Sequence, residues 1–286
     1  MCRLVEVSRA GYYRHWRRAA PDWEACALRD EIQSLALDDR HYRHYGYRRI
    51  TAELRRQGWC VNHKRVLRLM RTDNLLCLRR KAFVPATTDS RHRFRVYPNL
   101  ARKLEPTGVN QLWVADITYV RLAASFVFLA IILDAYSRRV VGWAMEAHLQ
   151  AILALKALDM ALATRAVIPG SLVHHSDRGV QYASADYIAR LEGHGILPSM
   201  SRVACPYDNA MAESFIKTLK SEQVEGRAYR DLEHARDEIG SFIELVYNRQ
   251  RLHSALGYRP PVEFEDANPA PSPAVRQAMA LNTNCH

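Results

Sequence analysis

The sequence predicts an α/β fold, a mixed β-sheet flanked by helices, preceded by a small all-α region. Three apolar, β-branched or aromatic runs follow one another after Pro106, which indicates three successive strands. Helical and strand-like segments then alternate as far as residue 247, an order that favours a mixed sheet covered by helices. The 286 residues are enough for one substantial core and a smaller satellite domain.

The formal net charge of +11 comes from the first third of the chain. Residues 1–105 hold 24 Lys and Arg against 11 Asp and Glu, whereas residues 106–286 hold 17 against 19. A local positive excess is typical of a region that binds the phosphates of nucleic acid. A solvated basic surface without a partner has the same composition. We therefore expect any polyanion to bind in the first third.

The composition disfavours membrane insertion and export. The longest apolar stretch, residues 122–133, is interrupted by Ser125 and is too short to cross a bilayer. Residues 1–20 carry arginines and aromatic residues in place of the apolar segment of a signal peptide. The expected location is the cytoplasm, in association with the nucleoid.

The six cysteines are scattered, without any CxxC pair, and we expect free thiols. His41 and His44 invite a zinc site with Cys60 and Cys77. Four-ligand zinc sites usually consist of two close pairs, so the sequence disfavours one here.

The first third is expected to be helical. Ser8 is a plausible cap of a short basic helix that ends before Pro21, and a second helix is expected over Trp23–Leu37. Residues 46–72 predict two further helices separated by Gly58, the second capped by Asn62. This is the layout of a helix-turn-helix, although any basic amphipathic helical hairpin has the same pattern. The basic residues expected to face DNA on the second of these helices are Lys64, Arg65, Arg68 and Arg71.

Residues 79–105 are basic, contain proline and lack periodicity. We interpret them as a linker that follows the DNA backbone, with a solvated charge run as the alternative. Strands are then expected at 112–120, 125–133, 139–145 and 172–176, helices at 151–167, 183–191, 208–221 and 232–247, and a loose tail beyond residue 266.

Three acidic residues stand where secondary structure alone does not require them. Asp116 interrupts an apolar strand, in which aspartate is disfavoured. Asp177 follows the strand expected at residues 172–176, and Glu213 lies one turn into a helix, on the side opposite its apolar residues. Taken singly, each acid has an ordinary structural explanation. Asp116 would be an edge-strand residue, Asp177 a turn residue and Glu213 a solvated charge on a helix.

Three carboxylates brought to one place repel one another, since two unit charges about 4 Å apart cost on the order of 4 kcal/mol at an effective dielectric near 20. A divalent cation removes this penalty, and oxygen ligands favour Mg²⁺ or Mn²⁺. Two such ions activate an attacking hydroxyl on one side and stabilise the leaving oxygen on the other. The trio therefore predicts metal-dependent phosphoryl transfer. Asp134 is the main rival ligand, but its position favours capping a turn. His174 and His175 are expected to support the site from behind, while Tyr207, Asn209 and His253 stay ambiguous.

The segments around these acids strongly resemble the OrfB-type transposases of insertion sequences, the IS three family, which share the retroviral-integrase core. The resemblance runs from about Ser8 to Phe264. The matching motifs are Trp113-Val114-Ala115-Asp116-Ile117-Thr118-Tyr119, His175-Ser176-Asp177-Arg178-Gly179-Val180-Gln181-Tyr182, Tyr207-Asp208-Asn209-Ala210 through Glu213-Ser214-Phe215, and His253-Ser254-Ala255-Leu256-Gly257-Tyr258, with Tyr45-Gly46-Tyr47-Arg48-Arg49-Ile50 upstream.

The resemblance implies a ribonuclease-H-like sheet that presents Asp116, Asp177 and Glu213 as catalytic metal ligands, with two ions per site. It implies cleavage at the ends of a double-stranded DNA element and joining of the freed 3′-hydroxyl to a target, by a multimer assembled on DNA. Lys220 matches a family position thought to touch DNA, and Lys217 and Arg178 are further candidates. The implied domains are a helical segment (1–40), a helix-turn-helix-like domain (41–80), a basic linker (81–106), the integrase catalytic core with a C-terminal helix (107–266) and a flexible tail (267–286).

Two departures from the family pattern bear on function. Val203-Ala204-Cys205-Pro206 stands where relatives carry Gly-Asn, and losing a glycine is expected to stiffen this loop. The chain also begins near the start of the family's second reading frame, so we expect an upstream-frame partner or fusion. The alternative functions are a ribonuclease-H-like nuclease or resolvase that does not join strands, and a DNA-binding regulator with an inert core.

Overall fold

The computed structural model describes residues 22–38, 44–76, 95–202 and 209–269, together with Ser8 and Ala10. The chain divides into two compact units, Met1–Arg79 and Arg80–His286. Several sequence predictions lie outside the described residues: the helix between Ser8 and Pro21, the zinc candidates His41 and Cys77, the basic stretch up to residue 94, the 203–206 loop, Tyr207 and the end of the tail.

The described residues of the first unit contain three helices, which are α1 (Trp23–Leu37), α2 (Tyr47–Arg56) and α3 (His63–Thr72). Each contributes a buried apolar stripe at helical spacing, so the three close around one small core. The buried residues are Leu28, Ile32 and Leu35 from α1, Ile50 and Leu54 from α2, and Val66 and Met70 from α3.

The ends of these helices follow the expected local chemistry. The side chain of Asn62 accepts a hydrogen bond from the backbone N–H of Lys64 at 2.9 Å and so caps α3. Gly58 follows α2 with φ of +93°, the left-handed conformation that glycine adopts without strain. The predicted pair of helices and both of their boundary signals are confirmed. Cys26 and Cys60 are exposed free thiols.

The second unit is built on a five-stranded sheet with the order β3-β2-β1-β4-β5. β1 pairs antiparallel with β2, and β2 with β3, whereas β4 runs parallel to β1 and β5 parallel to β4. The predicted mixed sheet is confirmed. The strands are β1 (Leu112–Arg121), β2 (Phe126–Asp134), β3 (Val140–Glu146), β4 (Val173–Ser176) and β5 (Leu197–Met200).

Helices cover both faces of this sheet. Alternate residues of β1 enter different clusters: Trp113 and Ala115 pack against α4 (Ala151–Thr164) and α6 (Ala185–Gly193). Leu112 and Val114 enter the other cluster, against α7 (Ala210–Leu219) and α8 (Leu232–Ser241). The other helical segments among the described residues after β1 are the short α5 (Val180–Ala183), α9 (Pro261–Ala267), the π-helical extensions Lys220–Val224 and Phe242–Tyr247, and the 3₁₀ turn Ser254–Leu256. Within the described ranges, no helix has the length and apolar character needed to traverse a bilayer.

Side chains from the C-terminal segment hold the antiparallel part of the sheet. Asn248 binds both backbone groups of Val140, each at 3.0 Å, close to where the register between β2 and β3 shifts. Glu265 of α9 accepts hydrogen bonds from Arg139 and Arg165, both at 2.8 Å. Burial alone would raise the pKa of Glu265, but these partners outweigh it and lower the pKa. The buried carboxylate is therefore charged and fixes α9 to the core.

The last part of the stretch that we expected to be a linker is folded. The backbone N–H of Leu100 donates to Ser199 Oγ at 2.9 Å, and residues Ala101–Lys103 form one 3₁₀ turn. Ala101 and Leu104 pack against the sheet core. The apolar residues within this basic segment bury surface, which anchors it.

The segment that follows α7 is fastened to the tip of the hairpin formed by β1 and β2. Leu122 pairs with Tyr229 in a parallel bridge, and the N–H of Ala123 donates to the carbonyl of Tyr229 at 2.9 Å. The buried hydroxyl of Tyr229 donates to the carbonyl of Gln223 at 2.8 Å. These bonds tie the end of the glutamate-bearing helix region to β1.

Gly142 of β3 should be intolerant of any side chain. A Cβ there would lie 2.1 Å from the carbonyl oxygen of Ala157 in α4 and 2.9 Å from Ala161 Cβ. We predict that Gly142→Ala lowers the free energy of unfolding by about 2–4 kcal/mol in urea titrations, because strand and helix backbones must separate. Gly193→Ala is the matched control, since its Cβ would meet nothing within 4 Å. That variant should be neutral or more stable by up to about 1 kcal/mol. Equal stabilities would contradict the close approach of α4 to β3.

Candidate active site

Asp116 lies where the parallel part of the sheet ends. It sits on β1 opposite Ile131 of β2, and its Oδ1 accepts a hydrogen bond from the N–H of Ile117 at 2.8 Å. β4 pairs with β1 only from Leu112 to Val114. Beyond Val114 this edge of β1 has no β4 partner, and the Asp116 carboxylate therefore stands at an opening in the sheet.

The parallel register explains why Asp177 is close by. Val114 pairs with His175, so continuing the register by two residues sets Asp116 level with Asp177, just after β4 ends. Neighbouring strands are about 4.8 Å apart. Asp177 Oδ1 accepts a hydrogen bond from the N–H of Gly179 at 2.9 Å, which fixes the turn after the strand.

Glu213 comes to the same region from the first turn of α7. Ala212, Phe215 and Leu219 form the buried side of this helix, and Glu213 is exposed on the other side. Before the helix, Asn209 donates from Nδ2 to the carbonyl of Ala115 at 3.0 Å. This bond holds the start of α7 beside the residue that precedes Asp116.

Asp116 interacts electrostatically with each of the other two carboxylates. Burial, followed by the negative charge of Asp177, raises the pKa of Asp116 to about 7, and Glu213 adds to the rise. The Ile117 N–H and the Lys220 ammonium act in the opposite direction without cancelling the effect. The metal-free site thus contains carboxylates whose full ionisation is unfavourable without a cation.

Within the described ranges, no group of three His, Cys, Asp or Glu side chains is arranged as a finished metal site. The donor set nevertheless suits a hard divalent cation, because it consists of carboxylate oxygens that repel one another. Glu213, in the first turn of α7, is the exposed member of the three.

Lys220 brings a positive charge to the carboxylates. Its Nζ lies 4.5 Å from the centroid of the Tyr119 ring, a cation–π contact. Tyr119 in turn makes an edge contact with Phe126, with ring centroids 5.7 Å apart. Burial lowers the pKa of Lys220, and the charge of Asp116 opposes that shift. Of the other candidate DNA contacts in this unit, Lys217 is exposed. Arg178 donates from Nε to the Ser201 carbonyl at 2.7 Å.

The four basic candidates of the first unit lie along α3. Lys64, Arg68 and Arg71 are exposed, and Arg65 is partly buried and 3.9 Å from Glu24. The side of α3 away from its buried Val66 and Met70 is therefore strongly positive.

The strand histidines bind protein groups. His175 contacts Ser199 Oγ through Nδ1 at 2.8 Å and Ser201 Oγ through Nε2 at 3.0 Å. His174 Nε2 contacts the Tyr187 hydroxyl at 2.9 Å, and burial lowers the pKa of His174 to about 3. Both therefore support the strand from the interior, as the sequence predicted.

Asp134, the rival ligand, is fully committed to backbone. It accepts hydrogen bonds from the N–H groups of Asn110 at 2.7 Å, Tyr136 at 2.9 Å and Ser137 at 3.1 Å. The predicted turn-capping role is confirmed.

Sequence reasoning overlooked Tyr182. Its hydroxyl is buried without a hydrogen-bond partner among the described residues. Burial raises its pKa well above the ordinary value, and the charges of Asp116 and Asp177 contribute. Only its position at the end of the second-Asp motif pointed to it. The structure also gives Asn209, ambiguous in the sequence, a definite contact with β1.

Comparisons with known proteins show which families this chain resembles. Residues 106–206 and 194–261 match integrase core domain families, and residues 24–83 match an HTH-like domain family. The 31 kDa protein of insertion element IS600 from Shigella sonnei is 39% identical over 267 residues, covering 93% of this chain and 97% of that protein. Transposase InsF for insertion sequence IS3A from Escherichia coli K12 is 38% identical over 271 residues, 94% and 93% of the two chains. Among solved structures, the HTLV-2 integrase catalytic core in complex with magnesium aligns with a TM-score of 0.44 at 14% identity, over 56% of this chain and 99% of that one.

The raised pKa of Asp116 predicts how stability depends on pH. Between the ordinary value of 3.8 and about 7, the folded chain holds a proton that the unfolded chain has released. The fold therefore loses stability as pH rises through this range. We predict that Asp116→Asn raises the melting temperature of the metal-free protein at pH 8 by roughly 5 °C, corresponding to about 2 kcal/mol in a unit of this size.

The gain from Asp116→Asn should shrink at pH 5, where the native carboxyl is already protonated. Asp186→Asn, at an exposed aspartate in the first turn of α6, is the control and should show no such pH dependence. Scanning calorimetry at the two pH values measures both variants. A gain that is the same at pH 5 and pH 8 would argue against carboxylate repulsion at Asp116.

Proposed function

The chain belongs to the insertion-sequence transposases with an integrase core, and on this premise we propose that it cleaves and joins DNA at Asp116, Asp177 and Glu213. It is a DDE-type transposase, a polynucleotidyl transferase that acts in DNA transposition and integration. The observation that carries the residue assignment is the electrostatic coupling of three acids from β1, the end of β4 and α7.

The chemistry we propose is two successive displacements at phosphorus. In cleavage, a water oxygen attacks the phosphate at the element end, and the 3′-oxygen leaves and takes up a proton. In joining, that 3′-hydroxyl attacks a phosphate of the target strand and displaces another 3′-oxygen. The protein acts chiefly by positioning these oxygens and by neutralising charge.

We propose that Asp116, Asp177 and Glu213 hold divalent Mg²⁺ or Mn²⁺, two ions per site. Ions held there would activate the attacking oxygen and stabilise the leaving one. Asp116 must be ionised to serve as a ligand, and its pKa of about 7 means that protons compete for this oxygen below neutral pH. Glu213 completes the set by turning inward from the exposed side of α7.

The DNA contacts are proposals of the same kind. We propose that Lys220 neutralises a phosphate near the reacting group, and its contact with Tyr119 and its electrostatic interaction with Asp116 support this role. Lys217 and Arg178 are candidates for flanking phosphates. Lys64, Arg65, Arg68 and Arg71 give the first unit a basic helix suited to double-stranded DNA at the element ends.

Joining one end to a target requires two ends held together, so we propose a multimer assembled on DNA. We further propose an upstream-frame partner, separate or fused, that contributes to end recognition. Such a complex would be found with the nucleoid. Within the chain, we propose that residues 41–80 form the helix-turn-helix domain that binds DNA and that residues 107–266 form the catalytic domain.

The trio can be tested one residue at a time. We predict that Asp116→Asn, Asp177→Asn and Glu213→Gln each reduce Mg²⁺-dependent cleavage and joining by more than about 100-fold, because a lost metal ligand should cost more than a lost outer partner. Binding of the same DNA, measured by fluorescence anisotropy, should change little.

Asp186→Asn and Glu233→Gln replace exposed acids in the first turns of other helices and serve as controls with full activity. A trio variant with near-normal turnover would remove that residue from the site. If the wild-type protein cleaved DNA that carries an element end but formed no joined product, the chain would instead be a nuclease.

The basic helix gives a separate prediction. A side chain that contacts phosphate does not read the bases. Replacing Lys64, Arg65, Arg68 or Arg71 by alanine should therefore weaken binding to all DNA sequences nearly equally. Removing one such phosphate interaction should reduce the slope of log K against log salt by about 0.9. Lys156→Ala, which removes an exposed lysine paired with Glu146 in the second unit, should leave the slope unchanged. Unaltered slopes for all four variants would place DNA binding elsewhere.

A further inference from the structure

Asn209 is used in an unexpected way at the start of α7. Asparagine is among the best residues for capping a helix, yet Asn209, at the cap position, makes no side-chain bond to the first turn. Its Nδ2 instead donates to the carbonyl of Ala115 on β1, at 3.0 Å and across 94 residues of chain. Asn209 therefore bonds the start of α7 to β1 and does not cap the helix.

The other end of the same amide is unsatisfied. Asn209 is 6% exposed, and its Oδ1 is buried with no hydrogen-bond partner among the described residues. The amide cannot be turned to avoid this, because the Ala115 carbonyl can only accept and therefore requires the NH₂ group. A buried acceptor without a donor is unfavourable, so its persistence in a native structure calls for an explanation.

The position of this amide links two of the proposed ligands. Ala115 is followed directly by Asp116, and Glu213 lies one helical turn beyond Asn209. One polar side chain therefore helps to fix how far the start of α7 stands from the strand that carries Asp116. Waters bound to a divalent cation are strong hydrogen-bond donors, and a cation at the trio would offer such donors to a buried acceptor beside Ala115.

We propose that Asn209 is a positioning residue for the metal site: its NH₂ group holds α7 against β1, and its Oδ1 accepts a hydrogen bond from a water bound to the cation. The inference rests on the proposed metal binding by the trio. Asn209 touches neither phosphate nor cation directly, and it acts through Asp116, Glu213 and the bound water.

The test is a titration of the full chain with Mn²⁺ alone, in which electron paramagnetic resonance reports the free ion. Asn209→Ala and Asn209→Ser should each weaken Mn²⁺ binding by about tenfold, the range for loss of an outer partner of a metal site. Serine is itself a good helix cap, so Asn209→Ser can add a capping bond that Asn209 does not make, but it cannot restore the bond to Ala115. A weaker affinity in that variant therefore cannot come from an uncapped helix end.

Asn248→Ser is the matched control, because Asn248 is also a buried asparagine bonded to backbone, at Val140. It should bind Mn²⁺ with wild-type affinity whatever its melting temperature. An Asn209→Ser variant with wild-type Mn²⁺ affinity would overturn the inference, as would an equal loss in Asn248→Ser. Asp116→Asn included in the same series separates the two levels: if it too binds Mn²⁺ normally, the metal assignment itself fails.

Discussion

The repulsion among Asp116, Asp177 and Glu213 is the constraint on which the rest of the molecule depends. The register of β1 and β4 forces the two aspartates to the same level of the sheet, at the point where strand pairing stops. Burial and mutual repulsion keep the Asp116 carboxyl protonated almost to neutrality. A site of this kind opposes folding, so stability must come from elsewhere.

The stabilising contribution lies in the two apolar clusters that sandwich the sheet. Alternate residues of β1 belong to one cluster or the other, so the strand that carries Asp116 is packed on both faces. Within the same unit, several buried polar groups are fixed by specific partners: His175 by two serines, Asp134 by three backbone N–H groups, and Glu265 by two arginines. The paired strands β1 and β4 keep Asp116 and Asp177 from moving apart to relieve their repulsion.

Much of this arrangement is predictable from local sequence because local rules decide it. Apolar runs predicted β1 to β4, and the excess of positive charge predicted the basic helices. Asp116 could be singled out because aspartate is disfavoured inside a strand. β5 escaped because it is short and contains Pro198, a residue disfavoured inside strands. The folded turn at Ala101–Lys103, α9 with Glu265, and the bond from Asn209 to Ala115 escaped for another reason. Each depends on a partner about 90 to more than 120 residues away, which no local pattern reveals.

The segment that carries Glu213 is attached to the β1–β2 hairpin at two points. Asn209 bonds the start of α7 to Ala115, and Tyr229, ten residues after α7 ends, bonds to Leu122 and Ala123 just beyond β1. These two attachments oppose sliding of α7 along the strand. The number of residues between these two attachment points is therefore constrained. Insertions or deletions between them should be selected against in evolution, even at positions that face solvent.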